Sequence, residues 1–351
     1  MQMQTKKILA LGVATMALSI YGQSAHAAGY SCATFTYSTS YTNCSYSSST
    51  NTNSSVVTDT TVLSAAATQT AAIISNRVAA AVSGGAGGFH VASNGFTAST
   101  GKAAGDSMAG ASVWASGSWT KASDDNTDTK SDGRVWNGMV GADYKVSEDA
   151  LLGVAVGYED LNFDTDFNGF NGVAGSLDGN GWTVAPYAAY DLGGAVANVS
   201  VGYTSVNYDT VRYEQGTGFK ITAKPDAKRY FVTAGVGGTN EVADRVRLHS
   251  NASVFYVREK KDDYNEVIVN TGGTLYHGSD TTKLGKAALD FRLGYAFDMV
   301  EPYALVGADY DFTKSKVPLA AGQTESGTQD DFGAKFGAGL SLDLGSDVTG
   351  G

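Results

Sequence analysis

Carboxylates and imidazoles lying close together are where hydrolytic chemistry would begin, because a base must take a proton and a partner must orient it. Between Lys260 and Lys286 the chain carries Asp262, Asp263, Glu266, His277 and Asp280, an Asp/His grouping that could activate a water on an exposed loop. The remaining histidines, His26, His90 and His249, are scattered, and no Ser–His–Asp order accompanies them. A solvated acidic loop is the reading this stretch favours. Gly84-Gly85-Ala86-Gly87-Gly88 has the glycines of a phosphate loop but lacks a strand before it and Lys-Ser/Thr after it, so it reads as linker. Cys32 and Cys44 are the only cysteines, and no histidine stands at metal-ligand spacing from them. The sequence therefore predicts no enzyme, no metal site and no cofactor.

The bulk composition points elsewhere. Glycine is abundant at 44 of 351 residues and proline scarce at 4, which suits close-packed strands that must all donate to a ladder. A net charge of −11 argues against a nucleic-acid partner. Residues 1–27 read as a secretory signal peptide: Lys6 and Lys7, an apolar stretch Ile8–Ile20, then Ala25-His26-Ala27 before a cleavage that leaves Ala28 first. In the oxidising compartment this implies, Cys32 and Cys44 are expected to pair into a small loop. Residues 28–59 are rich in Ser, Thr, Tyr and Asn and have little to bury. Thr60–Val82 is an Ala-rich helix by propensity, ended by Ser83-Gly84-Gly85. No partner helix follows it, so it needs some other enclosure. A Gly/Ala/Ser-rich linker then runs to about Ser107.

From Ser112 to Leu344 ten segments alternate apolar and polar residues. They span Ser112–Ala122, Arg134–Val146, Leu151–Phe163, Gly181–Leu192, Ala195–Tyr208, Lys228–Glu241, Arg245–Lys260, Lys286–Asp298, Val300–Phe312 and Phe332–Leu344. The gaps between them run long, short, long, short, which is the signature of an outer-membrane barrel with long loops at one end and tight turns at the other. The faces agree. In Lys286–Asp298 one row reads Ala287, Leu289, Phe291, Leu293, Tyr295, Phe297, and the other holds Asp290 and Arg292. In Phe332–Leu344 the row Phe332, Ala334, Phe336, Ala338, Leu340 opposes Lys335 and Asp343. Arg247, Asp143 and Asp309 fall on the polar rows of their own strands. With no second sheet or helix layer to cover the apolar rows, lipid is their cover, and the polar rows line a narrow, water-containing lumen.

Helix, Gly-rich linker and amphipathic barrel in that order resemble the translocator domain of autotransporters, the type V secretion family. The segment Gln69-Thr-Ala-Ala-Ile-Ile-Ser-Asn-Arg77 is similar to the one that precedes the barrel there. WASGSW at Trp114–Trp119, GADY at Gly141–Tyr144, VAPYAAYDL at Val184–Leu192 and EPYALVGADYDF at Glu301–Phe312 match the family's strands. The resemblance implies an all-β, antiparallel transmembrane barrel of twelve strands with the helix threaded through its pore. It also implies passage through the periplasm with chaperones, insertion by the barrel-assembly machinery, and export of an N-terminal passenger to the surface of a Gram-negative cell. Ten strands are visible in residues 108–351, so either strands one and ten close directly or a last hairpin is missing; the turn-like ending Gly345–Gly351 favours the second. Only residues 28–59 stand where a passenger would.

Within that architecture the helix contributes the polar contacts Gln69, Asn76 and Arg77. A cation on a thin helix inside a lumen should seek an inward carboxylate, with Asp143, Asp290, Asp309 and Asp343 as candidates. Two functions stay open: a translocator exporting its own N-terminal segment, and a stand-alone barrel, monomeric in the lipid, acting as a narrow pore or as an adhesin through its long loops.

Overall fold

The computed structural model describes residues 60–82, 88–92, 95–99, 110–124, 130–167, 173–213, 218–297, 300–315, 331–343 and 348–350. The cleavage pair Ala27 and Ala28 and the cysteines Cys32 and Cys44 lie outside these residues. The elements in chain order are α1 (Thr60–Val82), β1 (Gly88–Ala92), β2 (Gly95–Ser99), β3 (Ala111–Asp124), β4 (Lys130–Lys145), β5 (Ala150–Phe167), β6 (Val173–Asp191), β7 (Val196–Tyr213) and β8 (Lys220–Ala223). They continue with β9 (Asp226–Ala243), β10 (Val246–Lys261), β11 (Tyr264–Ile268), β12 (Thr274–His277), β13 (Asp280–Tyr295), β14 (Val300–Lys314), β15 (Phe332–Asp343) and β16 (Val348–Gly350).

The ten long strands β3 to β7, β9, β10 and β13 to β15 pair antiparallel in sequence order, as their alternation predicts. The first and last of them do not close on each other. Between β15 and β3 stand β16, β1 and β2: β2 pairs with β3, β1 with β2, and β1 runs parallel to β16, which pairs with β15. The Gly-rich segment read as linker thus supplies a hairpin to the seam. An unpaired N–H or C=O in hydrocarbon costs several kcal/mol, and Gly88-Phe-His-Val-Ala92 and Gly95-Phe-Thr-Ala-Ser99 offer extended backbone where the seam needs it.

The outer surface has a sharp vertical order. On β4 the outward row reads Trp136, Gly138, Val140, Ala142, Tyr144, and on β6 it reads Trp182, Val184, Pro186, Ala188, Tyr190, with the larger side chains exposed. Tyr158 on β5 stands between Trp136 on β4, tilted at a centroid distance of 6.3 Å, and Trp182 on β6, edge-on at 5.1 Å. Tyr144, Tyr190, Tyr295 and Phe297 ring the tight-turn end. Eight residues separate Trp136 from Tyr144, which at about 3.3 Å per residue and a tilt of about 40° makes an apolar band of roughly 20 Å.

Beyond the upper aromatics the strands do not stop. The outward row of β5 passes from Leu152, Val154, Val156 and Tyr158 to Asp160, Asn162 and Asp164, while the inward row passes from Gly153, Ala155 and Gly157 through the buried Glu159 to Leu161 and Phe163. Side-chain direction is unchanged, and polarity reverses because water replaces lipid outside. This is why strands read as ending at Phe163 and beginning at Gly181 in fact reach Phe167 and start at Val173. It also corrects the expectation of a polar lumen. At the long-loop end the interior is an apolar cluster of Val135, Leu161, Phe163, Leu177, Val206, Tyr208 and Ala227 around Val62 and Ala66 of α1. The Lys260–Lys286 stretch is likewise ordered, carrying the β11–β12 hairpin, which pairs onto β8 and extends the sheet from the top of β7.

Val140 lies midway between Trp136 and Tyr144 and is 58% exposed. Val140→Arg is expected to lower the unfolding free energy by about 2–4 kcal/mol, whereas Val146→Arg, beyond Tyr144 in the β4–β5 turn, should cost much less. Denaturant titration of the barrel in lipid vesicles checks both, and equal costs would contradict the placement of the band.

Candidate functional site: a helix seated in the lumen

Helix α1 is buried along Val62/Leu63, Ala66/Ala67, Gln69/Thr70, Ile73/Ile74, Arg77/Val78 and Ala81, a stripe with the 3.6-residue period of an α-helix. Its other face, including Ser64, Ala65, Thr68, Ala71, Ala72, Ser75 and Asn76, is half-buried rather than exposed. With none of its described side chains exposed, the helix is enclosed, and its alanines keep it thin enough for the barrel. It packs on β3 to β7, β9, β10 and β13. Its first turns lie in the apolar cluster near the long loops, and Arg77 lies near the tight-turn end, beside the foot of β4.

There Arg77 grips Asp143 with two parallel hydrogen bonds, Nε to Oδ2 at 2.7 Å and Nη2 to Oδ1 at 2.9 Å. The same Nη2 donates to Ser112 Oγ at 2.6 Å. Asp143 also accepts a bond from Tyr187 Oη at 3.1 Å, and Trp114 Nε1 donates to that same Tyr187 oxygen at 2.8 Å. Side chains of the ion pair are 5% and 2% exposed. Two glycines make room: a Cβ on Gly153 would lie 2.2 Å from the Tyr187 ring, and one on Gly141 would lie 2.6 Å from Trp114. These two aromatics face inward and lie flat against the wall, unlike the lipid-facing Trp136 and Trp182. A buried bidentate pair whose remaining acceptor sites are satisfied is strongly destabilised, by about 3–5 kcal/mol, when one partner is removed.

Higher on the helix Asn137 Nδ2 donates to Thr70 Oγ1 at 2.7 Å, and that hydroxyl donates to Ala66 O at 3.2 Å. Gln69 is buried, and neither atom of its amide has a hydrogen-bond partner among the described residues. Asn76 is half-buried on the other face.

Five of the other lumen charges predicted from alternation, Arg247, Asp290, Arg292, Asp309 and Lys335, have ion-pair partners on the strands around them. Arg247 and Arg292 both reach Glu301, at 3.0 and 2.7 Å, and the Arg292 guanidinium lies 4.0 Å from the Tyr303 ring centre. Lys286 bridges Asp309 at 2.9 Å and Asp311 at 3.3 Å, and Lys335 stands 3.4 Å from Asp290. Asp343 closes β15, with its side chain outside what is described. Of the four candidate carboxylates, the ion pair of Arg77 is thus with Asp143.

Sequence reasoning missed three groups. Ser112, Trp114 and Tyr187 share the inward parity of Asp143, and parity together with the facing glycines is the signal that finds them. Arg229, 1% exposed, joins Glu159 at 2.6 Å and Glu259 at 2.9 Å, with Tyr208 Oη donating to Glu259. At the long-loop end Arg212 Nε donates to Glu266 at 3.0 Å, and His277 Nε2 stands 3.0 Å from the same carboxylate while stacking on Tyr264. The Asp/His grouping considered as a hydrolytic site is therefore an ion-paired clasp between β7 and the β11–β12 hairpin. Asp280 faces Lys261 instead.

Burial alone would raise the Glu266 carboxyl, but the contact with His277 and the Arg212 guanidinium outweigh it and hold it at about 2. A carboxyl depressed on folding stabilises above its unfolded value near 4.5 and loses that contribution as pH falls through about 2. The β11–β12 hairpin is expected to become protease-sensitive across that interval, before the barrel itself opens. Limited proteolysis against pH checks this, and Glu266→Gln should remove the pH step.

In the lumen, Arg77→Glu puts a second anion against Asp143 and is expected to raise single-channel conductance in planar bilayers. Adding Asp143→Lys should lower it again. Unchanged conductance in Arg77→Glu would contradict the seating of the helix by this pair.

A family model described as the autotransporter β-domain matches residues 113–351. No curated protein sequence matches the chain. Among solved structures the chain is similar to the translocator domain of the autotransporter NalP from Neisseria meningitidis, with 14% identity over 80% of this chain and 88% of that one and a TM-score of 0.49. It is also similar to BauA, the ferric preacinetobactin receptor of Acinetobacter baumannii, with 12% identity, 71% and 42% of the two chains covered and a TM-score of 0.36. The outer-membrane transporter YddB from Escherichia coli gives 11% identity, 71% and 36% coverage and a TM-score of 0.33. The chain spans less than half the length of these two larger proteins.

Proposed function

This chain belongs to the autotransporter β-domain family and is an outer-membrane translocator barrel, and we propose that it carries its own N-terminal segment, residues 28–59, to the cell surface. The observation that carries the proposal is the direction of α1. The helix enters the barrel at the long-loop end, where Val62 and Ala66 are packed, and ends near the tight turns, where Arg77 meets Asp143. On this reading the N-terminal end of α1 hands the preceding chain to the long-loop side. In barrels of this class the long loops face outward and the short turns face the periplasm.

On this reading residues 1–27 direct secretion and are removed between Ala27 and Ala28. Cys32 and Cys44 pair within the exported segment. The barrel works as a monomer in lipid, delivered by periplasmic chaperones and inserted by the barrel-assembly machinery, and it performs transport rather than catalysis, with no nucleic acid, metal or cofactor. Arg77 and Asp143 then act after passage, holding the helix as a seal.

A protease-cleavable tag beside Ser48 tests the direction. On intact cells it is expected to be cut by added protease, together with loop tags at 168–172. Protection of the Ser48 tag while the loop tag is cut would overturn export of the segment.

A further inference from the structure

On the outer wall just above the aromatics, β9, β10 and β13 carry four exposed cations in one block. Register sets Lys228 directly opposite Lys260, and Arg258 directly opposite Lys283. Like charges directly opposed across strands destabilise a sheet. Asp262 answers one of them, lying 2.8 Å from Lys228; no ion pair engages Arg258, Lys260 or Lys283 among the described residues. The pattern recurs on β3 and β4, where exposed Lys121 stands opposite Arg134 one step above Trp119 opposite Trp136. Such clustering runs against the chain's overall charge of −11, whose general field repels anions.

Height identifies what these cations meet. Lys228 lies two residues above Tyr230 on the same face, and Arg258 lies two above Tyr256 and directly opposite Tyr230. Aromatic rings of this kind mark the level of lipid headgroups, so the ammonium and guanidinium groups stand about 5 Å further out, at headgroup phosphate depth. We propose that Lys228, Arg258, Lys260 and Lys283 form a docking surface for the phosphate groups of an anionic lipid in the leaflet at the long-loop end. The phosphates neutralise the opposed cations, and the acyl chains lie along Val232, Val254 and Leu289 below. Assigning that leaflet to the cell surface rests on the export reading above. The docking itself does not, because vesicles with the lipid in both leaflets test it for either orientation.

The full chain is folded into phosphatidylcholine vesicles containing bisphosphorylated lipid A, the same lipid A with its phosphates removed, or no lipid A with inorganic phosphate in solution. Heat-induced loss of the folded barrel is then timed. The bisphosphorylated lipid is expected to slow unfolding about tenfold or more, because each basic residue is attracted to an anionic lipid surface, and the other two conditions to leave it unchanged. Arg258→Ser with Lys260→Asn and Lys283→Thr should cut the response to within about twofold, while the charge-preserving set Arg258→Lys, Lys260→Arg and Lys283→Arg should keep it, as should Lys220→Asn on β8. If the triple variant does not fold, Lys260→Asn alone should give an intermediate response. An equal response to dephosphorylated lipid, full stabilisation by inorganic phosphate, or an unaltered response in the charge-removing variants would overturn the proposal.

Discussion

No backbone donor or acceptor can be left open in hydrocarbon, and the rest of this molecule follows from that constraint. Ten long strands satisfy one another everywhere except at the two outer edges, β3 and β15. The seam is met by short pieces, β2 and β1 from the segment after the helix and β16 beyond β15. Closing the sheet fixes an interior too small for a bulky helix and too crowded for large side chains on every inward position. Alanines along α1 and glycines such as Gly141 and Gly153 answer that crowding, and they let Trp114 and Tyr187 lie against the wall under the ion pair.

The interior sorts its charges economically. Arg77 is the helix's one charged residue, and it is answered by one carboxylate. Across the lumen Glu301, Asp309, Asp311 and Asp290 are taken by Arg247, Arg292, Lys286 and Lys335, each from the adjacent strand or the one beyond it. Each of these carboxylates has an ion-pair partner on the wall itself, without the helix. Apolar contacts run along the helix from Val62 and Ala66 to Ile73, Ile74 and Val78, and the buried, hydrogen-bonded pair with Asp143 adds the charged link that fixes its lower half.

Most of the fold was legible because lipid writes a simple pattern: the ten long strands and the helix Thr60–Val82 follow directly from alternation and alanine content. What escaped notice did so for physical reasons. The extensions of β5 and β6 reverse which face is polar once they leave the bilayer, so a search for apolar-outward strands stops at Phe163 and resumes at Gly181. The β1–β2 hairpin is glycine-flanked and short, and its strand character comes from the seam's unpaired backbone rather than from its own side chains. In the site, Arg77 and Asp143 were visible as opposite charges needing each other, among four carboxylates of equal standing. Choosing among these four needs the helix's height in the pore, which no sequence pattern carries. Ser112 and Tyr187 are ordinary residues whose role comes only from facing the same point.

The spacing of the two aromatic rows has a further consequence. A hydrocarbon core of ordinary thickness is about 30 Å, well beyond the band of roughly 20 Å bounded by Trp136 and Tyr144. Because Asp160 and Asp164 begin immediately above that band, an average bilayer meeting this barrel must compress around it or pull carboxylates into oil. Bilayer elasticity therefore penalises every thick membrane and favours the thinner bacterial outer one. Mismatch makes the height of the greasy belt an address, enforced by the mechanics of the lipid rather than by any receptor.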